Sequence, residues 1–186
     1  DRFKASRINR AFSLIPGPLR RHVISPLVAA LPDQRQKKGA VNMLKRFIEG
    51  ANLAPEGRHL RWQYFSNPRQ DQALFTPAFR QAIALDPFRR LRTLLAGCNA
   101  TDVVNEEVYL DTRFMMTDSV LMKVDKMSMA SAVEIRVPLL DHVFVEFMAG
   151  LPGEWKLKGL QTKAIFRSAL EGLLPHNIVY RGKQGY

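Results

Sequence analysis

Apolar residues recur at helical spacing along most of the chain, and the interruptions fall at proline and glycine. Ile8, Phe12 and Ile15 mark a first helix over 6–15, broken by Pro16-Gly17-Pro18. Pro18 is placed to open a second helix running to about Ala30, and Leu31-Pro32-Asp33 is a turn. Val41, Leu44, Phe47 and Ile48 define a third helix between Gln34 and about Gly50. Pro55, Pro77 and Pro87 each suit a first helical turn, the last two behind Thr76 and Asp86 as caps. The pattern predicts short helices joined by turns in the first half, with no strand, no internal repeat and no catalytic motif.

The second half carries the strongest helix prediction, from about Asp102 to Ala130. Asp102, Glu106 and Glu107 sit where the helix dipole favours carboxylates, and Lys123 and Lys126 sit toward its end. Leu110, Phe114, Leu121 and Val124 form the apolar stripe. Beside it runs Asp111, Met115, Asp118, Met122, Asp125 and Met129; the three carboxylates share one face if the helix stays straight. Asp111 and Asp118 fit solvated acids at the edge of a core. Asp125 differs, because it meets Lys126 and Ser128 just where the helix ends.

Val133-Glu134-Ile135-Arg136-Val137 alternates apolar and polar residues, which predicts an extended piece stopped by Pro138. Glu134 and Arg136 then project from one side, close enough to pair with each other or to clamp a charged ligand. The residues alone leave both open. Asp141 is expected to cap a helix whose apolar face is Phe144, Phe147, Met148 and Leu151. Thr162 is expected to cap the last long helix, with Ile165, Phe166, Ala169, Leu170 and Leu173 inward, Lys163 and Arg167 solvated, and Pro175 as its stop. The closing Arg181-Gly182-Lys183-Gln184-Gly185-Tyr186 sets two cations among glycines that let a backbone or an ammonium approach a ligand closely. Without further context a frayed basic tail is the simpler account of it.

Composition narrows the classes. A chain of 186 residues, 46% hydrophobic, can bury one core. The single cysteine, Cys98, excludes an internal disulfide and fits a reducing compartment. No apolar run is long enough for a bilayer, and no signal peptide is recognisable. The opening Asp1-Arg2-Phe3-Lys4, without an initiating Met, suggests a true N-terminus elsewhere. The net charge of +11 is uneven: residues 1–93 carry 18 Lys and Arg against 6 Asp and Glu, residues 94–186 carry 10 against 11. A basic half suits a polyanion partner, but with no basic-aromatic nucleic-acid motif a solvated face is the better account. His22, His59, His142 and His176 lack ligand spacing, so no protein metal cage is expected. Neither a Gly-x-x-x-x-Gly-Lys-Ser/Thr loop nor a Gly-x-Gly-x-x-Gly is present, which places any nucleotide loop upstream or nowhere.

The order Val-Asp125-Lys126-Met-Ser128-Met-Ala, Val-Glu134-Ile-Arg136-Val-Pro138-Leu-Leu-Asp141, Leu-Pro152, Thr162-Lys163, Leu-Pro175 and Arg181-Gly-Lys183-Gln-Gly-Tyr186 closely resembles the C-terminal synthetase domain of glutamine-hydrolysing asparagine synthetases. The resemblance covers Tyr109 to Tyr186; the first half is only weakly similar, although Asp1-Arg2-Phe3 looks like the residues just after that family's pyrophosphate-site motif. It implies a mainly α chain, the C-terminal helical portion of a PP-loop (adenine nucleotide alpha hydrolase-like) α/β synthetase domain. Residues 1–186 would be part of that domain, with 1–100 a variable basic helical part and 101–186 the motif-bearing part.

The resemblance also implies a function. The parent would adenylate a carboxylate, aspartate first of all, with ATP and Mg2+, and transfer glutamine-derived ammonia to give asparagine, AMP and pyrophosphate. Lys183 matches the family's catalytic lysine and Asp125 a substrate-side acid; Glu134, Arg136 and Arg181 would line the substrate cleft. Mg2+ would be held mainly by upstream residues, with no metal ligand in this segment. An N-terminal glutaminase domain of the same polypeptide is the implied partner, a homodimer is compatible, the setting is cytoplasmic, and neither membrane nor nucleic acid is expected to bind. The ATP loop and the glutaminase cysteine do not occur here, and whatever follows the lysine's motif is missing, so the segment alone is expected to be inactive. Two alternatives stand: the same fold acting on another carboxylate, as in β-lactam synthetases or lasso-peptide cyclases, and a basic helical binding module.

Overall fold

A computed structural model describes residues 2–35, 39–62, 72–83 and 88–182. The chain divides into two compact units, Asp1–Ala96 and Gly97–Tyr186. Helix dominates both; among the described residues the only sheet is one two-stranded antiparallel hairpin.

In the first unit the helices Arg2–Phe12, Ala40–Ala51 and Pro55–Leu60 pack on one another around Ala5, Ile48 and Ala51, all buried. Phe12 and Phe47 meet edge to face with centroids 5.3 Å apart, and Phe3 meets His59 the same way at 5.1 Å. The third helix begins at Ala40, because Gln34 instead receives the Val41 amide on its side chain (3.1 Å) and bonds Asn42. The second helix continues through Pro26 in three segments, Gly17–Leu19, Arg20–Ile24 and Ser25–Ala29. Proline has no N–H and its ring crowds the carbonyl four residues back, so the preceding segment widens to i→i+5 bonding, with the Ser25 amide and hydroxyl both donating to the Arg20 carbonyl.

Pro55 and Pro77 begin helices as the sequence predicts, and the Thr76 hydroxyl accepts from the Phe79 amide (3.2 Å). The Asp86-Pro87 cap lies outside the described residues. Gly57 is needed where it stands, since a Cβ there would lie 2.7 Å from the Phe88 ring.

In the second unit the long helical run extends from Val103 to Met129, but its middle, Asp111–Leu121, is wide-turned. The straight-helix condition for a common carboxylate face therefore fails. Asp111 is buried, whereas Asp118 and Asp125 are exposed.

After the run a stretch without regular secondary structure leads to a turn at Pro138–Leu140 and the helix His142–Gly150, capped by Asp141, which accepts from the Val143 and Phe144 amides (3.0 and 3.4 Å). Phe144 and Met148 share its more covered face. Phe147 falls on the neighbouring stripe with Val143, four residues earlier, and both are about 60% exposed, against the expectation for Phe147.

The last long helix also differs from expectation. Thr162 lies in a hairpin strand, Gln161–Thr162, paired with Leu157–Lys158 across a turn opened by Gly159 at φ 60°. Strands of two residues are too short to show a period. The helix is Ala164–Leu170, preceded by Lys163 in the left-handed region, with no side-chain cap. It stops at Leu170 because Glu171 turns extended and bridges Leu174 around Gly172 at φ 82°, leaving Leu173 exposed. Pro175 starts the short helix His176–Val179 rather than stopping the longer one.

Candidate functional site

The Asp125-to-Met129 motif is the last turn of the long helix, and its residues fold locally to end it. The Ser128 hydroxyl donates to the Asp125 carbonyl (3.0 Å), and the Ser128 carbonyl accepts from the Val133 amide. The Asp125 carboxylate itself is exposed.

The chain then runs through Val133–Val137 without regular secondary structure, unpaired with any strand among the described residues, and Val137 is extended at φ −114° and ψ 97°. Glu134 and Arg136, two residues apart, meet there, and the Arg136 guanidinium donates to Glu134 Oε1. Both side chains remain largely in solvent, so the pair contributes no more than about 1 kcal/mol to stability. It is held on the surface with most of its donors still available.

Arg181 follows the His176–Val179 helix and is exposed, its amide donating to the Ile178 carbonyl (3.4 Å). Lys183 lies outside the described residues. Glu134 and Arg136 are thus brought together, while no hydrogen bond or ion pair among the described residues joins Asp125 or Arg181 to them. Among the described residues no group of three or more His, Cys, Asp or Glu could hold a metal ion. No described helix is long and apolar enough to cross a membrane.

Two polar clusters were not legible as such. At the start of the long helix, Asp102 caps with both oxygens. Oδ1 accepts from the Asn105 amide (2.9 Å), and Oδ2 accepts from Asn105 Nδ2 (2.8 Å) and from the Gly153 amide (3.1 Å). Asn105 Nδ2 also donates to the Leu151 carbonyl (2.9 Å), and Lys156 Nζ donates to Asn105 Oδ1. Burial pulls the Lys156 ammonium below the ordinary lysine range, and the Asp102 charge partly opposes that. The knot ties the helix start to the segment after Leu151-Pro152. Asp102 with Asn105 three residues on was a visible signal for a cap, but not for its reach to Gly153.

The second cluster surrounds Tyr180. Its hydroxyl donates to Glu171 Oε1, the Arg167 guanidinium lies 5.4 Å from its ring centroid, and the His176 ring lies 4.5 Å away. Arg167 is therefore occupied rather than merely solvated.

The family model for asparagine synthase matches residues 3–186. The asparagine synthetase [glutamine-hydrolyzing] 1 of Bacillus subtilis is 26% identical over 182 residues, 95% of this chain and 26% of that protein. The asparagine synthetase [glutamine-hydrolyzing] 3 of the same organism is 40% identical over 94 residues, 50% of this chain and 15% of that protein. A putative asparagine synthetase [glutamine-hydrolyzing] of Mycobacterium tuberculosis is 26% identical over 185 residues, again 95% and 26%. The chain spans about a quarter of the length of the curated relatives it matches along nearly its whole extent. No solved structure matches it significantly.

Proposed function

Because the chain belongs to the asparagine synthase family, whose synthetase domain is PP-loop-like and of which this mainly helical chain is a part, we propose that its parent is an ATP-dependent carbon–nitrogen ligase. Aspartate is the favoured substrate, adenylated on its side-chain carboxylate, and glutamine-derived ammonia then gives asparagine, AMP and pyrophosphate. The observation that carries the proposal is the family match over 3–186, which includes each of the ordered motifs. Under this reading the glutaminase is a domain of the same polypeptide and the setting is cytoplasmic.

Each residue has a role that its chemistry suits. Lys183 offers an ammonium to the negative charge that grows on the α-phosphate and the departing pyrophosphate, an interaction strongest in the transition state. Asp125, exposed at a helix end, would orient the cationic side of an amino-acid substrate. The exposed Glu134/Arg136 pair would hold a charged substrate group. Arg181 would support the phosphates. ATP supplies the adenylyl group that turns the carboxylate into an acylating agent. Under this reading the ATP loop and the main Mg2+ ligands belong to upstream parts of the parent.

The test is ATP–pyrophosphate exchange by the full-length parent, with aspartate compared against other carboxylates, beside its Lys183→Ala variant. Aspartate-dependent exchange that falls by orders of magnitude in the variant supports both reaction and residue. Exchange driven by another carboxylate moves the proposal to a β-lactam-synthetase or cyclase type of relative. Exchange that survives the substitution removes Lys183 from the chemistry.

A further inference from the structure

Tyr180 stands where two helices meet. Glu171, at the end of the Ala164–Leu170 helix, accepts its hydroxyl hydrogen. Arg167 of the same helix lies over one part of the ring, and His176, four residues earlier on the short helix, flanks it. Next to it, Val179 is buried, and the Tyr180 and Arg181 amides donate back to His176 and Ile178. Glu171 is itself fixed by the backbone bridge to Leu174 and the tight turn at Gly172. The chain leading into Arg181 is therefore pinned at a single residue by a hydrogen bond, a cation over a ring and a buried neighbour.

That residue lies three positions before Lys183. Three extended residues reach about 10 Å at most, so the region open to the lysine backbone is set by where Tyr180 is held. Gly182 is the only residue between the two cations, and a Cβ there would meet none of the described residues within 4 Å. We infer that Tyr180 and Glu171 form a clamp that positions the Arg181–Lys183 segment for the reaction, acting through Lys183 and touching no substrate. The inference rests on the proposed role of Lys183. It assigns a task to two residues outside the recognised motifs.

A clamp of this kind should act on turnover and not on binding. In the full-length parent, Tyr180→Phe keeps the ring and the arginine contact but removes the hydroxyl, and Glu171→Ala removes the acceptor. Each is expected to lower kcat of carboxylate-dependent ATP–pyrophosphate exchange by about ten- to hundredfold, the cost of an ångström-scale misplacement, with KM for ATP and the carboxylate unchanged. Glu171→Gln keeps an acceptor oxygen and should retain the rate within about twofold. The double variant should be no slower than either single one.

A second readout does not depend on activity. Trypsin cleavage after Arg181 and Lys183 should quicken in Tyr180→Phe and Glu171→Ala while the rest of the digest is unchanged. An active parent whose Tyr180→Phe variant keeps both its rate and its cleavage pattern overturns the inference alone. Equal losses in all three variants, including Glu171→Gln, with a lowered melting temperature overturn it in favour of a general folding role. A parent inactive with every carboxylate overturns the reading of Lys183 and this inference together.

Discussion

The Ser128 carbonyl accepts a hydrogen bond from the Val133 amide, 3.0 Å away, across an alanine held in the left-handed region. With the Ala132 amide donating to Met129 (3.0 Å), the two bonds form a Schellman stop, in which the left-handed position is usually glycine. Here it is Ala132, at φ 55°. The stop swings the chain out of the Asp125 turn and straight into the Glu134–Arg136 stretch.

An alanine in that conformation costs about 1–2 kcal/mol. Ala132→Gly should stabilise the stop by about 0.5–1 kcal/mol after the extra freedom of glycine in the unfolded chain is subtracted. Hydrogen exchange of the parent should show the Ala132 and Val133 amides exchanging about two- to fivefold more slowly. Faster exchange would contradict the left-handed assignment.

Asp102 satisfies two backbone donors 48 residues apart along the chain, Asn105 and Gly153. Asp102→Ala leaves both without that acceptor and should cost about 1–3 kcal/mol. Gly153→Ala should disturb the same knot, because a Cβ there would lie 2.1 Å from Asp102 Oδ1 and 2.8 Å from the Val104 Cβ. In both variants the Gly153 amide should lose exchange protection while the first unit keeps its own.

Two titrations carry opposite signs. The hydrogen bond to Glu171 raises the Tyr180 phenol above the ordinary tyrosine value of 10.0, so its contribution is complete below pH 10 and is lost as pH rises through the higher folded value. The Arg92 side chain, donating to Glu56 at 2.8 Å, holds that carboxyl below the usual 4.5; its contribution is present above pH 4.5 and is lost as pH falls through the lower folded value. Ultraviolet titration should find Tyr180 ionising late, and Glu171→Ala should bring it back toward 10. Carboxyl NMR of Arg92→Ala should find Glu56 moved up.

Arg136 separates a surface ion pair from a ligand clamp. Since both partners are largely exposed, Arg136→Ala should change stability by less than about 0.5 kcal/mol. If the pair holds substrate, the same variant lowers kcat/KM by about tenfold or more. Unaltered kinetics with unaltered stability would leave it a surface pair.

How much of this was legible depended on the range of the interaction. The Asp141 and Thr76 caps and the Pro55 and Pro77 helix starts are set by residues within a turn of one another, and the pattern shows them. The family was legible because its motifs are short, polar and ordered. The Leu157–Thr162 hairpin was hidden because its strands are two residues long. Phe147 was misplaced because spacing gives the stripe a residue occupies but not which stripe a neighbour covers. The Asp102–Gly153 and Glu171–Tyr180 bonds join residues whose meeting depends on how elements pack, and no local spacing announces that.

The wide-turned middle of the long helix, Asp111–Leu121, also bears on how the segment tolerates changes of length. In an ordinary helix, deleting one residue rotates everything downstream by about 100°. A wide turn carries one residue more than the ordinary one, so a deletion within it is absorbed by tightening that turn. Asp125 and the stop at Ala132 would then keep their bearing on the Val103–Leu110 half. Single-residue gaps among relatives should therefore gather in 111–121 and avoid the two flanking segments.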